Sequence, residues 1–188
     1  APVVVFADAD LAAAAETIAI TGFFNGGQDC TAATRVIVEE SVYAEFVELL
    51  AAQAKGLKTG APTEEHVLFG PVNNANQLAR VTGFLNEVPS HAKVVAGGKQ
   101  VARDGYFIEP TVIADLKQSD RHIQEEIFGP VITVQKFKDE AEAIRIQSQA
   151  IQTGGGANYV QLKAIEKWDG NLPNVMGSGA VPFINIGK

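Results

Sequence analysis

One cysteine, Cys30, stands in a chain of 188 residues, directly after the glycine-rich turn Phe23-Phe24-Asn25-Gly26-Gly27-Gln28-Asp29. Cysteine is a nucleophile as the thiolate, and backbone N–H groups must face the charge that forms after it attacks. Glycine suits that task, because a backbone without Cβ approaches a substrate closely and adopts unusual φ/ψ values. The same octet also fits a free cysteine buried as a small hydrophobe beside a tight turn, a common fate of lone cysteines. Asp29 bears on the choice. A carboxylate beside a thiol disfavours the thiolate, so a nucleophilic Cys30 needs a compensating donor or an Asp29 that points elsewhere. The three histidines, His66, His91 and His122, are widely separated and none pairs with Cys30 in a recognisable motif. They read as surface residues.

A second stretch, Glu125-Glu126-Ile127-Phe128-Gly129-Pro130, also carries groups able to do chemistry. In its plain reading a helix ends at a Gly-Pro break and both glutamates are solvated. In the functional reading one carboxylate accepts hydrogen bonds from two ribose hydroxyls, a charge-assisted and geometrically selective contact, and Phe128 packs against the nicotinamide side. Periodicity does not choose between them.

The elements that must hold these loops alternate along the chain. Pro2 to Phe6 has the β-branched pattern of a buried strand. Asp8 and Asp10 offer N-caps for a helix from Leu11 to Thr21, with Gly22 as its end. Arg35 to Glu39 reads as a strand, and Ser41 as the cap of a helix with a Val42, Phe46, Leu49, Leu50 stripe. Gly60-Ala61-Pro62 is a turn, and Asn73 to Asn86 is helical through Leu78, Val81 and Leu85. Val94-Val95, Tyr106 to Ile113 and the alternating Val131 to Phe137 read as strands. Asp139 caps a helix reaching about Ser148. The class is therefore α/β. Past Gln147 the periodicity weakens, Gly154-Gly155-Gly156 reads as a loop, and regularity returns at Ala180 to Asn185.

Composition narrows the function classes. With 46% apolar and 20% charged residues the chain can bury a sizeable core. A net charge of -7 and a pI near 5.0 argue against nucleic acid or an anionic membrane as partner. No apolar run approaches the roughly 20 residues of a membrane-spanning helix. A single cysteine forms no internal disulfide, in keeping with a cytoplasmic setting. The start at Ala1-Pro2-Val3-Val4-Val5-Phe6 reads as a domain cut from a longer polypeptide.

Together, and in this order, the two loops resemble the catalytic domain of the aldehyde dehydrogenases. Members of that family carry Phe-x-Asn-x-Gly-Gln-x-Cys and, downstream, Glu-Glu-Ile-Phe-Gly-Pro. The opening Ala1 to Leu11 and Gly105-Tyr106-Phe107-Ile108-Glu109-Pro110-Thr111 are similar to family segments as well, and the likeness extends from Ala1 to about Ile146. It implies an aldehyde dehydrogenase-like fold, a mostly parallel sheet flanked by helices. It implies Cys30 as nucleophile, Glu126 on the nicotinamide ribose and Phe128 beside the cofactor. The implied reaction is oxidation of a small aldehyde by NAD, with NADP as the other option. The implied course is a thiohemiacetal on Cys30, whose oxyanion is held by the Cys30 N–H and an asparagine, then a thioester that water hydrolyses.

Gly27 to Ala33, Leu57 to Pro62 and Gly70 to Asn76 are most similar to bacterial γ-aminobutyraldehyde (1-pyrroline) dehydrogenases. In that comparison Asp29 would attract the ammonium of the substrate. The resemblance also places the general-base glutamate, the oxyanion asparagine and the cofactor-binding domain before Ala1, and an oligomerisation strand after Lys188. Residues 1–188 are thus expected to form a single nucleophile-bearing domain that does not complete a dehydrogenase cycle alone and belongs to a homo-oligomeric enzyme. The Asn-x-x-x-Tyr-Gly-Leu pattern expected between Gln147 and Met176 is not legible. An alternative reading is a non-catalytic fragment that binds a partner through an exposed apolar face. A third is a stand-alone cysteine hydrolase, which needs a histidine within reach of Cys30.

Overall fold

In a computed structural model of the chain, residues 2–153 are described. They comprise β1 (Pro2–Val5), α1 (Leu11–Phe23), β2 (Arg35–Glu39), α2 (Tyr43–Gly56), α3 (Ala75–Asn86), β3 (Lys93–Ala96), β4 (Thr111–Ala114), α4 (Arg121–Gln124), β5 (Val131–Phe137) and α5 (Glu140–Thr153). Short 3₁₀ turns cover Phe24–Gly27 and Glu40–Val42. The chain divides into two compact units, Ala1–Ile146 and Gln147–Lys188. The expected Gly154–Gly156 loop and Ala180–Asn185 strand lie outside the described residues.

The strands form one sheet in the order β1-β2-β5-β4-β3. β1 pairs with β2, β2 with β5, and β5 with β4, all parallel; β3 closes the edge antiparallel to β4. This is the expected α/β architecture. A parallel sheet is normally covered on both faces, and alternate residues of a strand point to opposite faces. Val36 and Val38 accordingly join Ile132 and Val134 beneath α1 and α2, where Ile18, Phe23, Phe46 and Leu50 complete the cluster. On the other face Val81 and Phe84 of α3 pack with Ile113, Ile123 and Val131. Ile37 and Phe137 pack there with Ala143 and Ile146 of α5.

The helix starts follow local chemistry. The Asp10 side chain accepts from the Ala13 N–H, Asn74 from Gln77 and Asp139 from Glu142. Several expectations need correction. Gly22 does not end α1: it is buried, and its Cα lies so close to Ile132 and the Ala33 carbonyl that a Cβ would collide with both. The glycine serves helix–sheet packing instead. Ser41 does not cap α2. It falls in the preceding 3₁₀ turn, and its hydroxyl donates to the Glu39 carboxylate at 2.9 Å.

The strand expected from Tyr106 enters the sheet only at Thr111, because Pro110 has no N–H for the ladder. The stretch before it forms a local ribbon, with Val101 N–H on the Phe107 carbonyl and Glu109 N–H on the Lys99 carbonyl, each at 3.0 Å. The alternation in β5 does not mark an inside and an outside. β5 is central, and Thr133 and Gln135 are buried with partners: the Thr133 hydroxyl donates to the Thr34 carbonyl, and the Gln135 amide to Gln118 Oε1. Among the described residues no helix is long and apolar enough to cross a membrane.

Candidate active site

α1 delivers the chain to the cysteine turn. Its last residue, Phe23, is fully buried and stacks on Phe69, which anchors the helix end. Asn25, Gly26 and Gly27 then take φ values of 51°, 64° and 67° in succession. A left-handed run of this kind is natural for glycine and tolerable for asparagine. Two side chains hold it from within: Asn25 Nδ2 donates to the Gln28 carbonyl, and Gln28 Nε2 to the Asn25 carbonyl, each at 3.1 Å. The other end of the Gln28 amide accepts the Asn73 N–H at 2.8 Å, tying the turn to the entry of α3.

Cys30 is exposed, so the reading of a buried small hydrophobe does not hold. Its backbone N–H meets no acceptor among the described residues. Asp29 is half-buried and turned onto Thr31: one carboxylate oxygen accepts both the Thr31 N–H and its hydroxyl at 2.7 Å. Those two bonds, the backbone one foremost, hold the Asp29 carboxyl below the usual carboxylate range. The carboxylate beside the thiol is thus engaged in an Asx turn.

The second loop is built from α4, the turn after it and β5. Glu125 and Glu126 have different fates. Glu125 pairs with Arg121 at 3.0 Å, one helical turn back, whereas the exposed Glu126 carboxylate has no ion pair or hydrogen bond among the described residues. Phe128 adopts φ 58°, rare for a bulky residue, and is 36% exposed. An exposed carboxylate beside a presented aromatic ring is compatible with a diol-bearing cofactor and equally with a solvated turn.

The tertiary structure joins the two loops. Gly27 packs face on against the Gly129–Pro130 peptide, so closely that a Cβ on Gly27 would overlap the Gly129 carbonyl oxygen. Gly129 is held in turn against Val81 of α3. Gln77 on α3 donates to the Ile127 and Phe128 carbonyls at 3.1 and 2.6 Å, and Arg80 donates to the Glu126 carbonyl. Neither Gln77 nor Arg80 was singled out from the sequence. Their signal there is weak: polar residues at i and i+3 on an amphipathic helix read as a solvated face.

The histidines need one correction. His122 is buried, not a surface residue: its Nε2 donates to the Phe84 carbonyl at 2.7 Å and its ring meets Phe84 edge-on. It ties α4 to α3. His91 pairs with Asp120 at 2.9 Å. Among the described residues no group of three or more His, Cys, Asp or Glu side chains is placed to hold a metal ion.

The domain is thus α/β, with an exposed-cysteine turn packed against an acidic-aromatic turn. The model of the aldehyde dehydrogenase family matches residues 1–158, and the chain belongs to that family. It is 42% identical over 149 residues to the mitochondrial aldehyde dehydrogenase of Leishmania tarentolae, covering 79% of this chain and 30% of that protein. It is likewise 42% identical to an aldehyde dehydrogenase of Emericella nidulans, over 77% of this chain and 29% of that one. Among solved structures, betaine aldehyde dehydrogenase of Staphylococcus aureus in complex with NAD+ superposes with a TM-score of 0.75 at 34% identity, over 79% of this chain and 31% of that one. Aldehyde dehydrogenase C of Pseudomonas syringae, a mutant complexed with NAD+ and octanal, gives 0.75 at 35% identity, over 79% and 32%. The chain thus spans about 30% of the length of the curated relatives it matches.

Proposed function

We propose that the chain is the nucleophile-bearing part of an NAD(P)-dependent aldehyde dehydrogenase whose cofactor-binding domain is carried by other residues. The observation that carries this reading is the packing of Gly27 on Gly129, which sets Cys30 and Glu126 on two abutting loops. NAD+ in complexes of two relatives supports the choice of cofactor.

In this reading the Cys30 thiolate adds to the aldehyde carbon and forms a thiohemiacetal, and the unengaged Cys30 N–H donates to its oxyanion. Glu126 would accept hydrogen bonds from the nicotinamide ribose hydroxyls, and the Phe128 ring would border the nicotinamide. The chemistry NAD(P)+ supplies when bound is acceptance of the hydride from the thiohemiacetal carbon. The thioester left on Cys30 is then cleaved by water, which releases the carboxylic acid and the Cys30 thiol.

The substrate proposed is a small aldehyde with a cationic far end, γ-aminobutyraldehyde first. Support comes from Asp29, next to Cys30 and kept ionised by its Thr31 bonds, and from a relative named for betaine aldehyde, itself a cationic aldehyde. The test is NAD+ reduction with γ-aminobutyraldehyde and with an uncharged aldehyde of equal length, in the full polypeptide. Cys30→Ala should abolish turnover of both, while Asp29→Ala should lower kcat/KM for the amino aldehyde alone. Turnover that survives Cys30→Ala overturns the mechanism. Equal effects of Asp29→Ala on both aldehydes overturn the substrate assignment only.

A further inference from the structure

Glu126 and Phe128 sit on a turn with little holding power of its own. Phe128 is in the left-handed region without being glycine, and the Glu126 side chain has no partner among the described residues. Such a turn keeps one conformation only if neighbouring groups over-determine it. Its peptide carbonyls are held from α3. The two N–H groups of the Gln77 amide satisfy the carbonyls on either side of the Phe128 amide, those of Ile127 and Phe128 itself. Arg80, one helical turn further along, takes the Glu126 carbonyl. α3 is itself fixed by the buried Val81 and Phe84 and by the Asn74 cap, so the donors project from a rigid element.

We propose that Gln77 is a positioning residue for the cofactor. It does not touch the reacting atoms. By bracketing Phe128 it sets the direction of the Glu126 carboxylate and the Phe128 ring, and hence how these two residues would hold a nicotinamide nucleotide. The proposal rests on the reading of Glu126 as the ribose acceptor. Because Asn73, just before α3, holds Gln28 of the cysteine turn, the same helix carries the reference points of both loops.

Gln77→Met keeps the side-chain length and removes both donors. Gln77→Glu keeps the polarity and, when ionised, likewise donates nothing. Gln77 is only half-buried, so both variants are expected to fold. In the full polypeptide, amide hydrogen exchange across residues 126–129 should accelerate in both variants, with exchange elsewhere in α3 and β5 unchanged. KM for NAD+ should rise about 10-fold, the scale of one or two lost hydrogen bonds. KM for the aldehyde and the rate of Cys30 labelling by iodoacetamide should stay within about twofold of wild type.

Unchanged exchange in the turn overturns the proposal at its first step. Faster exchange with an unchanged KM for NAD+ overturns it at the second, leaving Gln77 a structural tie only. A wild-type polypeptide that reduces no NAD+ overturns the reading of Glu126 and the cofactor role together, while the exchange arm still reports whether Gln77 holds the turn.

Discussion

The phenol oxygen of Tyr43, at the start of α2, accepts the Asp115 N–H at 2.7 Å and reaches the Val134 carbonyl at 3.5 Å. Asp115 has φ 60°, so a tyrosine far away in sequence supports the strained residue that follows β4. Burial above all pushes the Tyr43 pKa up from 10.0 to about 12. The sign follows from the neutral form being favoured in the fold. That contribution is complete below pH 10 and is lost as the pH rises from 10 towards 12, where the unfolded chain's phenol ionises first. Because the residue is only half-buried, the loss is on the order of 1–2 kcal/mol. Tyr43→Phe should cost about 1–3 kcal/mol at neutral pH, by leaving the Asp115 N–H unsatisfied. Urea midpoints for the two proteins should then converge above pH 10; a gap that stays constant to pH 12 refutes the account. At this scale the sequence showed that Cys30, Asp29, Glu126 and Phe128 are candidates. It did not show that Glu125 is paired and Glu126 without a partner among the described residues, because that depends on the register of Arg121 on α4.

Among the elements, α3 and the cysteine turn meet Gly129 of the second loop with almost no clearance. Gly27→Ala adds a methyl group at φ 67° against the Gly129 carbonyl, so the loops must part. We expect a loss of about 2–4 kcal/mol, the range for strain and overpacking, and a large fall in turnover. Gly83→Ala is the matched control. It lies within α3 with open space at the Cβ position, and helix propensity alone should stabilise it by about 0.5–1 kcal/mol. Thermal melts of both variants test the pair; equal effects would mean that the clearances are not as described. Strand limits at Arg35–Glu39 and Val131–Phe137 were readable because β-branched runs and flanking breakers are local signals. The end of α1 was not. Gly22 reads as a helix stop in sequence, and only the proximity of Ile132 explains why glycine stands there.

For the whole molecule, large apolar side chains remain at the surface of unit Ala1–Ile146: Phe24 is 58% exposed, Ile20 44% and Phe6 39%. Phe24 and Ile20 lie at the end of α1 that leads into the cysteine turn. This is the observation that favours a binding face as the second reading. A 188-residue polypeptide should therefore self-associate as its concentration rises, and Phe24→Ser should weaken that association. Sedimentation velocity decides: a monomer at every concentration removes the binding-face reading.

The sequence by itself determined the α/β class, most strand and helix segments, the two loops and the family, because periodicity and motif spacing are properties of short stretches. The order of strands is not such a property. β5 inserts between β2 and β4, and that choice, made by burial on both faces of the sheet, carries Gly129 to Gly27 and lays α3 across both loops. Burial likewise turned His122 inward and Asp29 onto Thr31. The groups were legible in the sequence; their meeting was decided by contacts between residues distant along the chain.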